Sequence, residues 1–218
     1  MKEKFWRWGV YLCGLLTLAV GITLNTKTGL GVSPLISVPF AASHIWGLSL
    51  GNTTLISYVV FILLQILLNG KGSRLRTLLQ LPLSLVFTRL IDLISLFVPM
   101  QTQLTGQAAM LVIAILLTGI GAAMSLDMRL IPNPSDGVVQ SISDFLHRET
   151  GLCKNCFDAV CTLLAAALSL AVCGKIIGIG VGTVAAVLGI GRIIALFNRL
   201  FLKKLQSHAG LQEQEKKP

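Results

Sequence analysis

Apolar residues along this chain cluster into six runs, and shorter polar segments separate them. Each run approaches the ~20 residues that a helix needs to cross the hydrocarbon core of a bilayer. None shows the alternation of apolar and polar positions that marks a membrane-spanning β-strand. The pattern therefore predicts an all-α membrane protein with six transmembrane helices. The predicted spans cover residues 8–24, 53–69, 78–98, 108–126, 157–173 and 176–198.

Two polar breaks interrupt this pattern, "TGLGVSPLISVPF" at 28–40 and "LIPNPSDGVVQSIS" at 130–143. Each leads into a short helix, predicted over 32–46 and 133–147. About 15 helical residues extend over roughly 22 Å, which is too short for a hydrocarbon core of about 30 Å. We expect these helices either to enter the membrane partway, as re-entrant helices that line a cavity, or to lie flat at its interface. A third arrangement, in which both cross the membrane, would give eight crossings and parallel repeats.

Both short helices have a favourable starting sequence. Ser33 stands as N-cap before Pro34, and Asn133 stands likewise before Pro134. Serine and asparagine are preferred N-caps, and proline suits the first helical position because that position needs no N–H donor. The start of a helix also carries unpaired N–H groups and partial positive charge. If the short helices are re-entrant, their starts therefore face a common central site.

The two halves of the chain repeat the same order of features. Each has a long helix, a Pro/Gly break, a short helix, a "GL" turn and two further long helices, and Gly21 and Pro34 match Gly121 and Pro134. Since each half contains three full spans, the second half enters the membrane from the other side. Such three-helix inverted repeats are common in transporters, which bind solutes near the midplane between the repeats. The predicted units are a first membrane repeat over 1–98, a second over 99–204 and a disordered cytoplasmic tail over 205–218.

Composition and charge agree with a membrane protein and set its orientation. The chain is 54% hydrophobic and 12% charged, against about a quarter charged in soluble domains. Its net charge of +9 is a topology signal rather than a sign of nucleic-acid binding, because basic residues concentrate in loops on one side, as the positive-inside rule requires. With both termini cytoplasmic, the only basic residues of the external segments are Lys27 and Lys175. The fourteen basic residues of the cytoplasmic segments are Lys2, Lys4, Arg7, Lys71, Arg74, Arg76, Arg129, Arg148, Lys154, Arg199, Lys203, Lys204, Lys216 and Lys217.

Few residues could bind a polar solute inside the membrane. Arg89 and Asp92 lie three apart in an apolar run, so they are either functional charges or an ion pair that holds the helix in place. Asp136 falls in the first turn of the second short helix, where it would bind a cation or proton in a cavity, or merely cap a helix that lies flat. Asp127 and Asp158 are interpreted as interfacial. The candidate substrate-binding residues are Asn25, Ser33, Arg89, Asp92, Asn133, Ser135 and Asp136.

The neutral members of this set suit a small polar or zwitterionic ligand, and they also suit ordinary helix capping. No hydrolase or metalloprotease motif and no paired acids with a histidine base occur, so we expect neither an enzyme nor a cofactor or metal.

Small residues recur every fourth position from Gly9 through Cys13 and Thr17 to Gly21. This ridge predicts close packing of the first helix.

Several glycine-rich motifs resemble those of YczE/YyaS/YitT-type bacterial integral membrane proteins. They are "TGLGVSP", "WGLSLGN", "PNPSDGV", "TGL" at 150–152 and "GIGVGTVAAVLGIG", and they span most of 8–200. Members tend to carry G-L-G-P-W-D in the first half and P-x-G-P-R-D-G in the second. This chain lacks the first-half Trp and Asp, but it keeps Asp136–Gly137, with Asn133 in place of a glycine. The resemblance implies a bacterial plasma membrane and no particular substrate.

These patterns favour a small secondary transporter or exporter of an unidentified small polar solute, which works by alternating access at the repeat interface. Two alternatives stay open: a non-transporting scaffold, sensor or substrate-binding subunit of a larger membrane complex, and a passive channel. The expected partners are the lipid bilayer, a small molecule or ion, and either further copies of the chain or a partner membrane protein. Nothing in the sequence indicates nucleic acid.

Overall fold

Helices make up most of the chain in the computed structural model, which describes residues 2–69 and 77–211. Within those two ranges there are eight helices of at least one full turn and no strand. Six of them are long and apolar enough to cross a membrane, and the two shorter ones cover Pro34–Trp46 and Pro134–Leu146. The predicted all-α class with six spans is therefore confirmed. In chain order the helices are α1 Lys2–Lys27, α2 Pro34–Trp46, α3 Leu50–Asn69, α4 Gln80–Phe97, α5 Leu104–Asp127, α6 Pro134–Leu146, α7 Thr150–Cys173 and α8 Val181–His208.

Several long helices extend beyond their apolar runs. Helix α7 begins at Thr150 rather than at 157, and α8 continues to His208, into the segment predicted to be a disordered tail. Helical backbone bonding continues through polar residues at the membrane edge, so apolar length alone underestimates a helix. The part of the predicted tail over 212–218 lies outside the described residues. So do the basic residues Lys71, Arg74, Arg76, Lys216 and Lys217.

Both predicted short helices are present, with boundaries close to those expected. Ser33 and Asn133 have extended backbone directly before Pro34 and Pro134, as the N-cap interpretation requires. Neither cap side chain accepts a hydrogen bond from its own helix in the described part of the chain. Both positions therefore have the backbone of an N-cap without the side-chain capping bond.

The helices pack around a closely crossed central pair, α1 and α5. Helix α1 also contacts α4, and α5 contacts α8. On the other side, α3 packs against α4 and α6, α2 against α3 and α7, and α6 against α7. Tyr11, Leu15, Tyr58 and Ile91 are among the buried side chains of the main apolar core. This packing places the starts of both short helices in the interior.

Two opposite faces of the molecule can be defined from contacts near the helix ends. At one, Arg7 donates to the carbonyl oxygens of Met128 (2.7 Å) and Arg129 (2.9 Å), and the Trp6 ring contacts His208. We call this the terminal face, because α1 begins and α8 ends there. At the opposite, far face, segments 30–32 and 178–182 are joined by two backbone hydrogen bonds of 2.8 and 2.7 Å.

Candidate functional site

A central cavity of about 290 Å³ lies where the two short helices begin. Ser33 at the start of α2 and Asn133 at the start of α6 both line it. Leu18 and Thr118 line it from the middle of α1 and α5, so the cavity is deep within the helical bundle. The hydroxyl group of Tyr58, also in the wall, faces the side chains at the start of α6.

The charged groups in the cavity wall come from α6 and α7. Lys154 Nζ lies 3.5 Å from Asp158 Oδ2, one turn apart on α7. Asp136, in the first turn of α6, lies within electrostatic range of both. When all three groups are ionised, this part of the wall holds two negative charges and one positive charge.

Two oxygen atoms of the wall lack a hydrogen-bond partner among the described residues. They are Asn133 Oδ1 and Asp158 Oδ1, and each residue is only 7% exposed. Buried polar atoms are almost always hydrogen-bonded, because an unpaired one loses its hydration without compensation. Both atoms are acceptors, so the cavity is suited to a group that donates hydrogen bonds.

A second, larger cavity of about 590 Å³ lies toward the terminal face. Asn69, Thr77 and Arg129 are in its wall, and we call it the vestibule. Asp136 and Lys154 line both the vestibule and the central cavity. They therefore stand at the junction, where a solute passing between the two spaces would meet them.

The start of α6 is held against α3 by a buried amide pair. Gln65 and Gln80 exchange two hydrogen bonds, of 3.1 and 2.9 Å, and Gln65 also donates to the carbonyl oxygen of Pro134 at 3.2 Å. Gly137 faces Gln65 so closely that a Cβ atom there would overlap the amide. This close packing of α6 against Gln65 sets how deep Asn133 lies in the helical bundle.

The structure brings together only part of the set of candidate residues predicted from the sequence. Ser33, Asn133, Ser135 and Asp136 line the central cavity. Asn25 is not in its wall, but its Oδ1 accepts a hydrogen bond of 2.8 Å from the backbone N–H of Ser33. Asn25 therefore supports the site by holding the first break in position.

Arg89 and Asp92 lie outside the central cavity. Asp92 Oδ1 accepts from the backbone N–H of Gly51 at 2.7 Å, and its Oδ2 accepts from the Ser49 hydroxyl at 2.9 Å. Arg89 is 51% exposed and contacts Asp92 at 3.4 Å. The pair fits the structural alternative, since Asp92 ties α4 to the start of α3.

Sequence reasoning missed the charged residues of α7. Asp158 was expected at the membrane edge, but α7 begins at Thr150, so Asp158 lies about two turns inside the helix and is buried beside the cavity. The interfacial interpretation did not anticipate this buried place in the cavity wall. The spacing of Lys154 and Asp158, four residues apart on one helix face, was the signal that could have indicated a paired buried charge.

Comparison with known proteins finds a matching family model and a related membrane protein. A family model described as a family of unknown function, DUF6198, matches residues 5–199. The uncharacterized membrane protein YczE of Bacillus subtilis (strain 168) is 25% identical over 144 residues, which cover 66% of this chain and 66% of that protein. No solved structure matches the chain. The resemblance based on the glycine-rich motifs is confirmed, and with the six apolar helices it identifies a multi-pass membrane protein.

Proposed function

Because this chain belongs to the DUF6198 family of unknown function, we propose its activity from the cavity itself. The protein is a small secondary transporter or exporter that moves a small polar solute by alternating access between two inverted repeats. The observation that carries this proposal is that both short helices begin at one deep cavity, whose wall holds two unpartnered buried acceptors. No chemical conversion of the solute is required.

The packing of the helices supports the repeat. If the two halves are exchanged, α1–α4 take the places of α5–α8. The contact between α2 and α7 then corresponds to the contact between α6 and α3. Contacts between α2 and α3, and between α6 and α7, exchange in the same way. A two-fold relation between the halves produces this pattern. The main exception is that α3 packs directly on α4, whereas the central cavity lies between α7 and α8.

The position of the helix starts supports the re-entrant arrangement. Ser33 and Asn133 share a cavity wall with residues from the middle of α1 and α5, whereas Trp46 and Leu146, at the other ends of the short helices, are exposed. Irregular backbone at membrane depth is tolerated where it lines a cavity. We place the terminal face in the cytoplasm because of the positive-inside rule. The vestibule is then the cytoplasmic entrance, and the far face is outside.

Sided labelling of single cysteines tests the proposal. The five native cysteines are replaced, and Ser33→Cys and Ser135→Cys are labelled with membrane-impermeant thiol reagents of small and large size. We expect slow, size-limited labelling of both from the cytoplasmic side, because the vestibule leads to them. A slower reaction from outside is expected whenever the far face opens. Ser207→Cys, at an exposed position near the end of α8, is the control for unrestricted cytoplasmic labelling.

Three outcomes would contradict alternating access. Labelling as fast as at Ser207, with reagents of any size, would mean that the short helices lie at the surface. Labelling of neither site from either side would favour a non-transporting scaffold. Equal labelling from both sides at once, with no condition that favours one side, would favour a passive channel.

A further inference from the structure

The unpartnered atoms of the central cavity are both hydrogen-bond acceptors. A carboxylate oxygen and an amide oxygen accept hydrogen bonds and do not donate them, so a ligand that hydrogen-bonds to Asp158 Oδ1 and Asn133 Oδ1 must carry N–H or O–H donors. These two residues come from different helices and are each 7% exposed. Neither atom has a hydrogen-bond partner among the described residues, although the Tyr58 hydroxyl lies near the Asn133 side chain. The cavity wall therefore offers one acceptor residue at the start of α6 and one on α7.

The charge of the cavity wall limits which kinds of hydrogen-bond donor fit the site. The second oxygen of Asp158 pairs with Lys154, and Asp136 adds a further carboxylate within electrostatic range. With both acids ionised, one of them remains without a matching base at the junction of cavity and vestibule. An excess buried negative charge is unfavourable, so either a cation balances it or one carboxyl takes up a proton. An ammonium group permits both carboxylates to stay ionised, whereas a neutral donor such as an alcohol satisfies the hydrogen bonds without balancing the charge.

We propose that the central cavity binds a primary or secondary ammonium group, so that the solute is a small organic amine; this rests on the transport function proposed above. The ammonium donates to Asp158 and Asn133, and two or three N–H groups are enough for both. The rest of the solute is compact and largely apolar. The apolar side chains that line the remainder of the cavity include Leu18, Ile22, Ile36, Val187 and Ile190.

Cavity size and ligand chemistry limit the class further. At about 290 Å³ the cavity is at the lower end of the range of about 300–1,000 Å³ for small-molecule sites. A quaternary ammonium carries the charge but no N–H donor. Within the described residues, no group of three or more His, Cys, Asp or Glu side chains could hold a metal ion. Charge and donors together therefore favour an amine.

Protection of Ser135→Cys from a small thiol reagent tests the proposal with the full-length protein. The probes are n-butylamine, isoamylamine and phenethylamine. Each is compared with the alcohol of the same carbon skeleton, with its trimethyl-quaternised form and with sodium chloride alone. We expect at least one amine to protect at a concentration tenfold or more below that of its alcohol and quaternary counterparts. The same amine should raise the unfolding temperature, because a ligand that binds only the folded state stabilises it.

Three variants connect the protection to the proposed atoms. Asp158→Asn is expected to weaken protection tenfold or more, because the charge is lost. Asp127→Asn removes a carboxylate that is also buried but is not in the cavity wall, and it should leave protection unchanged. If Asp158→Asn does not fold, Asn133→Ser keeps a preferred N-cap residue and should still weaken protection by removing the amide oxygen.

The proposal is overturned if alcohols or quaternary forms protect as well as the amines, or if sodium chloride alone gives the protection. It is also overturned if none of the amines protects, or if Asp158→Asn binds amines as tightly as the unchanged residue does. If the size-limited labelling is observed but no amine protects against it, only the proposed ligand class is rejected. Loss of the size-limited labelling itself would reject the transport function.

Discussion

At the scale of single residues, the acidic side chains divide by what surrounds them. Both oxygens of Asp92 are engaged at the start of α3, one by a backbone N–H and one by the Ser49 hydroxyl. Asp158, in the wall of the central cavity, uses one oxygen for Lys154 and leaves the other without a partner among the described residues. The same residue type therefore closes a helix end in one place and lines a cavity in the other.

Replacing Asp92 is expected to cost stability rather than ligand binding. Asp92→Ala removes the acceptor at the start of α3, and lost helix caps cost about 0.5–2 kcal/mol. Arg89→Ala is the matched control, since it removes the ion pair but leaves both hydrogen bonds from the start of α3 to Asp92 in place. Thermal unfolding of the purified protein, followed by tryptophan fluorescence, should place Asp92→Ala below both Arg89→Ala and the parent. Amine protection that disappears in Asp92→Ala would contradict a purely structural role.

At the scale of the helix, close packing of α1 against α5 depends on glycines that face each other. The small-residue ridge predicted from Gly9 to Gly21 is correct at Gly21, but Gly9 has no neighbouring atom within 4 Å of an added Cβ and Cys13 is exposed. Gly14 and Gly121 form the contact instead. A small-residue repeat indicates that a helix packs closely, but the partner helix decides which side of it is used.

A methyl group on Gly21 is therefore expected to separate α1 from α5. It would lie 2.5 Å from the backbone nitrogen and 2.6 Å from the hydroxyl oxygen of Thr118. Overpacking of this kind costs about 1–3 kcal/mol, so Gly21→Ala should lower the unfolding temperature in detergent. Gly9→Ala, where the space is open, should leave it unchanged. Equal unfolding temperatures for both variants would mean that the crossing relaxes without loss.

At the scale of the whole molecule, the two faces differ in how they close the central cavity. A vestibule adjoins the cavity on the terminal side. On the far side, Val32 N donates to Gly178 O and Gly182 N donates to Leu30 O. Alternating access requires that these contacts separate while the vestibule closes.

Cross-linking the far face should trap one state. In the cysteine-free protein, Leu30→Cys and Val181→Cys are joined by a short bifunctional thiosulfonate, because the segments that carry them are hydrogen-bonded to each other. Both introduced cysteines react with thiol reagents, so the labelling of a third cysteine would not be selective. The measurement is therefore the uptake of amine into vesicles. We expect uptake to stop after cross-linking and to return on reduction. Either single-cysteine variant, treated alike, is the control, and uptake that continues through the cross-linked protein would indicate no far-face opening.

The sequence by itself determined the features that depend on local pattern. Apolar run length specified six spanning helices, and Ser33–Pro34 and Asn133–Pro134 specified where the short helices begin, because capping depends on residues adjacent in the chain. Only the tertiary structure decided which polar groups meet. It placed Asp136 beside Lys154 and Asp158, and kept Arg89 and Asp92 outside the cavity. The direction in which a side chain leaves its helix is set by packing between distant segments, which the local pattern does not contain.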